Sequence, residues 1–330
     1  MKKIINLLLS LILLTSCATT AAESKIEVKV LILPCFEIDE MSGDDPGEAQ
    51  FYYKEYCLDS TVYTIEDGKD GSFYYKDGIG LYVNGMTKAN ASSNVLCLLK
   101  DERFDFSNAY IISTGCAGGA KEYAVMGDVV IASAIVDYDI GHTADERDLL
   151  YKEDPIWYED SSYVGLNYKL LNQDLVNELY ELTKDVKLET TEKTMKSMSF
   201  NFDDAEWAIR NPQVIKGANV TSDNYWKGEY NHDKAVYMCN YYNTPDPFAA
   251  TEMENSAIAL VLEKMGLLDR YIILRDIVNM DVFTDYNTPE SLWDPDYTFD
   301  KNGETIDIFG TAMENNFKVG KVIIEYLLNK

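Results

Sequence analysis

Short, continuous apolar runs punctuate the chain at Val28–Leu33, Gly80–Val83, Tyr110–Thr114, Val129–Ala132, Ala235–Met238 and Tyr271–Ile277. Runs of this length without polar alternation predict strands covered on both faces. Between them, apolar positions recur at helical spacing over Lys88–Leu99, Gly165–Thr183, Asn255–Met265 and Thr311–Leu328, which predicts amphipathic helices. Strands and helices alternate, so the expected class is α/β, with layers around one sheet. From Gly141 to about Gly217 the pattern weakens, with acids and aromatics around one helical segment. The stretch 141–217 is therefore expected to be an insertion covering one end of the sheet. No internal repeat is present.

The N-terminus changes the picture of where the protein works. Lys2 and Lys3 precede an apolar run from Ile4 to Leu14 and then Leu14-Thr15-Ser16-Cys17, the order of a secretory signal. The run is too short for a spanning helix, which needs about 20 residues. Small residues ahead of a cysteine resemble the bacterial lipobox, which implies a signal peptide over 1–16, lipidation of Cys17 and a tether over 17–25 leading into a domain at 26–330. The expectation is an exported lipoprotein, held to the membrane through its lipid alone, on the periplasmic or cell-surface side. No later segment is long and apolar enough to span a bilayer.

Loss of the leader would leave 27 basic against 56 acidic side chains. So acidic a chain is repelled by phosphate backbones and anionic lipid, which argues against nucleic-acid binding and peripheral electrostatic membrane binding. A hydrophobic content of 46% and 24 tyrosines supply a core and exclude disorder. Beyond Cys17 the cysteines are Cys35, Cys57, Cys97, Cys116 and Cys239, an odd number without a C-x-x-C pair, so neither a disulfide framework nor a metal site is signalled.

Three consecutive blocks carry a family signal: Asn84-Gly85-Met86-Thr87-Lys88-Ala89-Asn90-Ala91, Ser113-Thr114-Gly115-Cys116-Ala117-Gly118-Gly119 and Gly127-Asp128-Val129-Val130-Ile131-Ala132. In this order and spacing they resemble the G-M-G-K-x-x-A, T-G-x-A-G-G and G-D-V-V-x-A blocks of the nucleoside phosphorylase superfamily. Gly217–Trp226 is similar to its G-x-x-x-S-x-D-x-F segment, and Glu252-Met253-Glu254 to its E-M-E motif. The opening Lys29–Glu37, the Asp223–Trp226 block and Leu274-Arg275 leading to Asn279 are most similar to the purine nucleoside permease branch. The resemblance implies a nucleoside-phosphorylase-like, three-layer α/β/α fold with a mixed central sheet and a purine nucleoside as ligand. Relatives of this fold are commonly oligomeric, so a homo-oligomer is in view.

The resemblance also implies roles for single residues. Tyr225 and Trp226 match base-contacting positions, where stacking on an aromatic face contributes about 1–3 kcal/mol per base in other systems. Glu254 matches a ribose-binding glutamate with Met253 beneath the sugar, and a carboxylate suits two adjacent hydroxyls. The same glutamate closes a Thr251-x-x-Glu254 capping box ahead of the helix at Asn255, and the two readings are compatible. Asn84, Gly115, Cys116, Ala117 and Gly118 fall in the blocks expected to line the nucleoside. Asn279 stands where relatives often carry an aspartate near the purine N7. It donates a hydrogen bond but no proton, which makes it the candidate catalytic residue if the glycosidic bond is cut, with Asp276 and Asp281 as neighbours in register.

Phosphate requires positive charge or backbone amides. Many phosphorylases of the superfamily place an arginine two residues ahead of the glycine matching Gly115; here that position is Ser113. Phosphate as co-substrate is thereby placed in doubt, water and no nucleophile at all stay open, and no cofactor is implied. His142 and His232 are the two histidines, neither near a G-x-S-x-G elbow, so a serine hydrolase is not supported. Two functions follow: nucleoside binding for uptake at the envelope, or cleavage of the nucleoside to base and sugar.

Overall fold

Val30–Pro34 (β1) is buried along its whole length, as a five-residue apolar run flanked by strands on both sides must be. The computed structural model describes residues 24–66, 68, 71–143, 157–159, 162, 165–282, 298–299, 305–306 and 308–330. The expected leader, Cys17 and most of the tether lie outside these residues. After β1 come helix α1 (Gln50–Tyr56), strands β2 (Thr61–Thr64), β3 (Ser72–Lys76) and β4 (Ile79–Tyr82), helix α2 (Lys88–Lys100), and the long strands β5 (Tyr110–Gly119) and β6 (Val129–Asp137). Then follow β7 (Tyr168–Leu170), α3 (Gln173–Thr183), α4 (Glu192–Asn201), β8 (Val214–Thr221), α5 (Glu229–Tyr241), β9 (Phe248–Glu252), α6 (Asn255–Met265), β10 (Tyr271–Met280) and α7 (Phe309–Leu328).

These ten strands form one sheet in the order β7-β6-β8-β9-β5-β1-β4-β3-β2, and β10 pairs with both β5 and β6. Parallel pairs (β1 with β4 and β5, β8 with β6 and β9, β10 with β5) mix with antiparallel ones. The expected mixed sheet between helical layers is the one observed. Because β10 bridges β5 and β6, the strands β5, β9, β8, β6 and β10 form a closed circuit, and its rim brings distant segments together. The main core lies between β1, β5, β10 and the helices, with Leu31, Ile32, Leu98, Ile111, Ile273 and Ile324 fully buried. Each such side chain contributes about 1.5–3 kcal/mol of burial.

Several expected elements differ in the structure. Ala235–Met238 is not a strand but the buried stripe of α5, where His232, Ala235, Met238 and Cys239 face inward at three- and four-residue spacing. The helix expected over Gly165–Thr183 divides into edge strand β7 and helix α3, which begins where the Asn172 side chain accepts the Leu175 N–H, an N-cap. β5 does not stop at Thr114 but runs through the glycines to Gly119, because β9 and β10 pair with Gly118 and Gly119. Within 141–217, β7 pairs with β6, α3 packs on α7 and β6, and Val214–Gly217 already lies beside Val129–Ala132. These parts belong to the layers themselves.

Candidate functional site

The sheet circuit gathers residues from four segments around one cleft: Gly118 at the end of β5, Asn224-Tyr225-Trp226 after β8, Thr251-Glu252-Met253 at the end of β9, and Asn279 and Asp281 at the end of β10. The space it encloses is about 30 Å³, and about 300 Å³ counted out to the open mouth, so a ligand larger than a few atoms would occupy the mouth and require the rim to open. A β-bulge sets the geometry. Ile277 pairs with Ala117 and Asn279 with Gly118, leaving Val278 as the extra residue, and a bulge of this kind re-aims the side chain that follows. A Cβ on Gly118 would stand 3.4 Å from the Asn279 Nδ2 and 3.9 Å from the Thr251 Cβ, so the bare glycine leaves the space between them open.

Below the cleft lies a buried charge cluster centred on Arg275, whose side chain is 1% exposed. Its Nη2 is 3.3 Å from Glu252 Oε2 and 3.5 Å from Glu254 Oε2, and its Nη1 is 4.0 Å from Glu48 Oε1. It also donates to the Asn255 Oδ1 at 3.1 Å and to Ser113 Oγ at 3.3 Å. An arginine from the neighbouring strand thus reaches Ser113 on β5, the position at which the family resemblance implies an arginine in many phosphorylases. The anion beside it is already supplied by the protein. The Glu48 carboxylate accepts the N–H groups of Cys35 at 2.6 Å and Cys116 at 2.9 Å. Gly115 has φ +146°, and a Cβ there would lie 2.1 Å from Glu48 Oε1; glycine is required both for the backbone conformation and to admit that carboxylate.

Glu254 accepts the Thr87 N–H at 2.9 Å. Thr87 has φ 74° and ψ 153°, a region other residues avoid at a cost of about 1–3 kcal/mol, and this strained turn aims two amides: its own at Glu254 and that of Lys88 at Asp223 Oδ1, 2.8 Å away. Burial pushes the Glu254 carboxyl up to about 7, with the charges of Glu252 and Glu48 adding to the effect and Arg275 opposing it. Glu252 is saturated instead: it accepts Asn219 Nδ2, Thr221 Oγ1, the N–H groups of Glu254 and Asn255, and Arg275 Nη2. It is Glu252 that caps α6. The expected capping box is not formed, since Glu254 makes no side-chain cap bond and Thr251 Oγ1 is buried without a partner among the described residues.

The aromatic wall is built on the rim. Tyr225 is 47% exposed, at the mouth. Trp226 stacks on Tyr138 with centroids 5.0 Å apart and 23° between planes, and Lys234 Nζ lies 3.8 Å from the Tyr138 centroid, a cation–π contact. One face of Trp226 is therefore already covered. The Lys88 ammonium ties this loop down through Asp137 at 3.0 Å and Asp139 at 2.7 Å; Asp139 in turn accepts Ser222 Oγ and the Asp223 N–H.

Of the residues expected from the sequence, Gly118, Tyr225, Trp226, Met253 and Asn279 meet in the cleft. Glu254, Gly115 and Cys116 belong to the charge cluster beneath it. The Ala117 methyl packs in an apolar cluster with Ala124, Ile277 and Met280, on the other face of β5. Asn84 is buried beside the end of β1, its backbone N–H donated to the Pro34 carbonyl and its Oδ1 without a partner among the described residues. Sequence reasoning did not find Glu48 or the pair formed by His232 Nδ1 and Asp281 Oδ2 at 2.9 Å. It noted Arg275 only as part of a motif, although an Arg-Asp pair inside an otherwise apolar strand is a legible signal of buried charge with partners.

The model of the purine nucleoside permease family matches residues 27–330. The chain belongs to the purine nucleoside permease family. It is 27% identical over 220 residues to the probable purine nucleoside permease of Schizosaccharomyces pombe, covering 60% of this chain and 63% of that protein. To the purine nucleoside permease of Candida albicans it is 27% identical over 263 residues, covering 73% of this chain and 61% of that one. The chain thus spans less than two thirds of the length of these family members. Among solved structures it is similar to the 5'-methylthioadenosine/S-adenosylhomocysteine nucleosidase of Neisseria meningitidis in complex with methylthio-immucillin-A, with TM-score 0.55 and 16% identity over 90% of this chain and 99% of that one. The Streptococcus pneumoniae MTA/SAH nucleosidase in complex with 8-aminoadenine gives TM-score 0.52 and 14% identity over 90% and 99%. These likenesses show the fold, which is nucleoside-phosphorylase-like.

Proposed function

We infer that the protein binds a purine nucleoside in the cleft and serves nucleoside uptake at the cell envelope, held there by a lipid on Cys17. The carrying observation is the meeting of Gly118, Tyr225, Trp226, Met253 and Asn279 in one cleft above Glu254, in a chain of the purine nucleoside permease family. An aromatic rim suits the base, and a carboxylate below the cleft suits the two ribose hydroxyls. Among the described residues no helix is long and apolar enough to cross a membrane, so the reading assigns capture and delivery to this chain.

A second reading, cleavage of the N-glycosidic bond by water, is favoured by one observation. Glu254, pushed up to about 7, has the proton affinity of a general base working near neutral pH. Water rather than phosphate is favoured because Glu48 fills the amide cradle beside Arg275, where a second anion would meet repulsion. In this reading Asn279 donates to the departing base, a contribution of up to about 2.7–4 kcal/mol for one such donor in other enzymes. Incubating the purified chain with inosine and adenosine, with and without phosphate, separates the two. Bound but intact nucleoside supports capture, free base without phosphate supports hydrolysis, and neither binding nor cleavage refutes both.

A further inference from the structure

Resting on the nucleoside reading, we propose that Trp226 and Thr251 are specificity-determining residues that read the edge of the base by hydrogen bonding and select 6-oxopurines over 6-aminopurines. The inference comes from which polar groups around the cleft are already engaged. Both carboxylates lining it are. Glu252 accepts five donors from the protein: Asn219, Thr221, Glu254, Asn255 and Arg275. Asp281 accepts from His232 Nδ1 at 2.9 Å and from the Lys121 N–H at 3.4 Å. The donors are in the opposite condition. Among the described residues the Trp226 indole N–H and the Thr251 hydroxyl are buried without a partner, and Asn279 Nδ2 spends one hydrogen on the carbonyl of Met280 at a long 3.3 Å, leaving the other.

An indole N–H only donates, and a hydroxyl or a primary amide adapts. The unspent capacity of the site is therefore weighted toward donors. Thr251 and Asn279 flank the same gap left by Gly118, and Trp226 lines the same cleft. A 6-oxopurine presents O6 and N7 as adjacent acceptors, whereas a 6-aminopurine puts an N–H₂ donor beside N7. A 6-amino group would have to turn the Asn279 amide or the Thr251 hydroxyl to accept from it and would leave the Trp226 N–H, which only donates, without an acceptor, an arrangement that is disfavoured. With one face of its ring already against Tyr138 and its N–H unengaged among the described residues, Trp226 is assigned a role at the base's edge.

The experiment is calorimetric titration of the full chain with inosine and with adenosine, for the wild type and the variants Trp226→Phe, Thr251→Val and Thr251→Ser. Phenylalanine keeps an aromatic face without the N–H, valine keeps the shape of threonine without the hydroxyl, and serine keeps the hydroxyl. Inosine should bind about tenfold or more tightly than adenosine, in line with recognition by paired polar groups. Trp226→Phe and Thr251→Val should each weaken inosine about tenfold more than adenosine, while Thr251→Ser keeps the wild-type ratio. Adenosine binding as tightly as inosine to the wild type, or equal losses for both ligands in Trp226→Phe, overturns the assignment while leaving the nucleoside site standing. Failure of the wild type to bind either nucleoside overturns the nucleoside reading as well.

Discussion

Replacing Glu254 by glutamine separates its chemistry from its place in the fold, because the two effects run in opposite directions. In the wild type the carboxylate holds the Thr87 N–H and lies 3.5 Å from Arg275, and burial, followed by the neighbouring carboxylates Glu252 and Glu48, moves its carboxyl from 4.5 to about 7 against the pull of Arg275. An acid held higher in the folded than in the unfolded state binds more protons when folded, so its contribution to stability is greatest below about 4.5 and falls as the pH rises through 7. That displacement corresponds to about 3 kcal/mol. Glutamine does not titrate. Glu254→Gln should therefore gain stability relative to the wild type on going from pH 5 to pH 8, by up to about 3 kcal/mol. Binding should move the other way. A neutral acceptor makes bonds roughly half as strong as an ionised one, so two ribose hydroxyls lose about 1 kcal/mol each and the nucleoside about thirtyfold in Kd. Thermal unfolding at pH 5 and 8, with titrations of inosine and of free hypoxanthine at pH 8, gives both readouts. Equal losses for nucleoside and base, or a variant that is relatively less stable at pH 8 than at pH 5, would refute the reasoning.

Removing the internal anion by Glu48→Ala should open the cradle formed by the Cys35 and Cys116 amides beside Arg275, so that inorganic phosphate raises the Tm of the variant but not of the wild type; no difference between them would mean that Glu48 does not occupy an anion site. Asp276 is fully buried, its Oδ2 has no partner among the described residues and burial pushes its carboxyl well above the usual range, with the Glu48 charge adding to it. The unfolded chain ionises this group above about pH 4, so Asp276→Asn should gain stability relative to the wild type as the pH rises from 4 to 8, measured by thermal melts across that range. Cys17→Ser should release the protein from the membrane fraction, and a variant that stays bound after a high-salt wash would contradict the lipid anchor.

The fold was legible wherever burial on both faces wrote an unbroken apolar run. Val129–Ala132 and Tyr271–Ile277 lie in β6 and β10, Val28–Leu33 overlaps β1 from Val30 on, and Gly266, in a left-handed turn at φ 73°, ends α6 where a helix-stop glycine is expected. What escaped was set by tertiary pairing. Val214–Thr221 contains a lysine and a glycine, yet it sits between two parallel strands, and the glycine-rich end of β5 is extended only because its neighbours supply hydrogen bonds. Ala235–Met238 had the length of a strand, but the inward-facing His232 and Cys239 that make it a helical stripe lie outside the apolar run. The cleft residues came from motif resemblance, while Glu48 did not: its acidic neighbourhood reads as solvated loop, and only the packing of Gly115 shows that a carboxylate belongs there. Glu37, which accepts the Gly47 and Ala49 N–H groups, folds that loop so that Glu48 points inward.

The central claim is that the cleft holds a purine nucleoside. Equilibrium dialysis of the purified full chain against labelled inosine, with unlabelled purine and pyrimidine nucleosides as competitors, tests it directly. Saturable binding displaced by guanosine but not by uridine is the predicted result. Absence of saturable binding, or equal displacement by uridine, would contradict it.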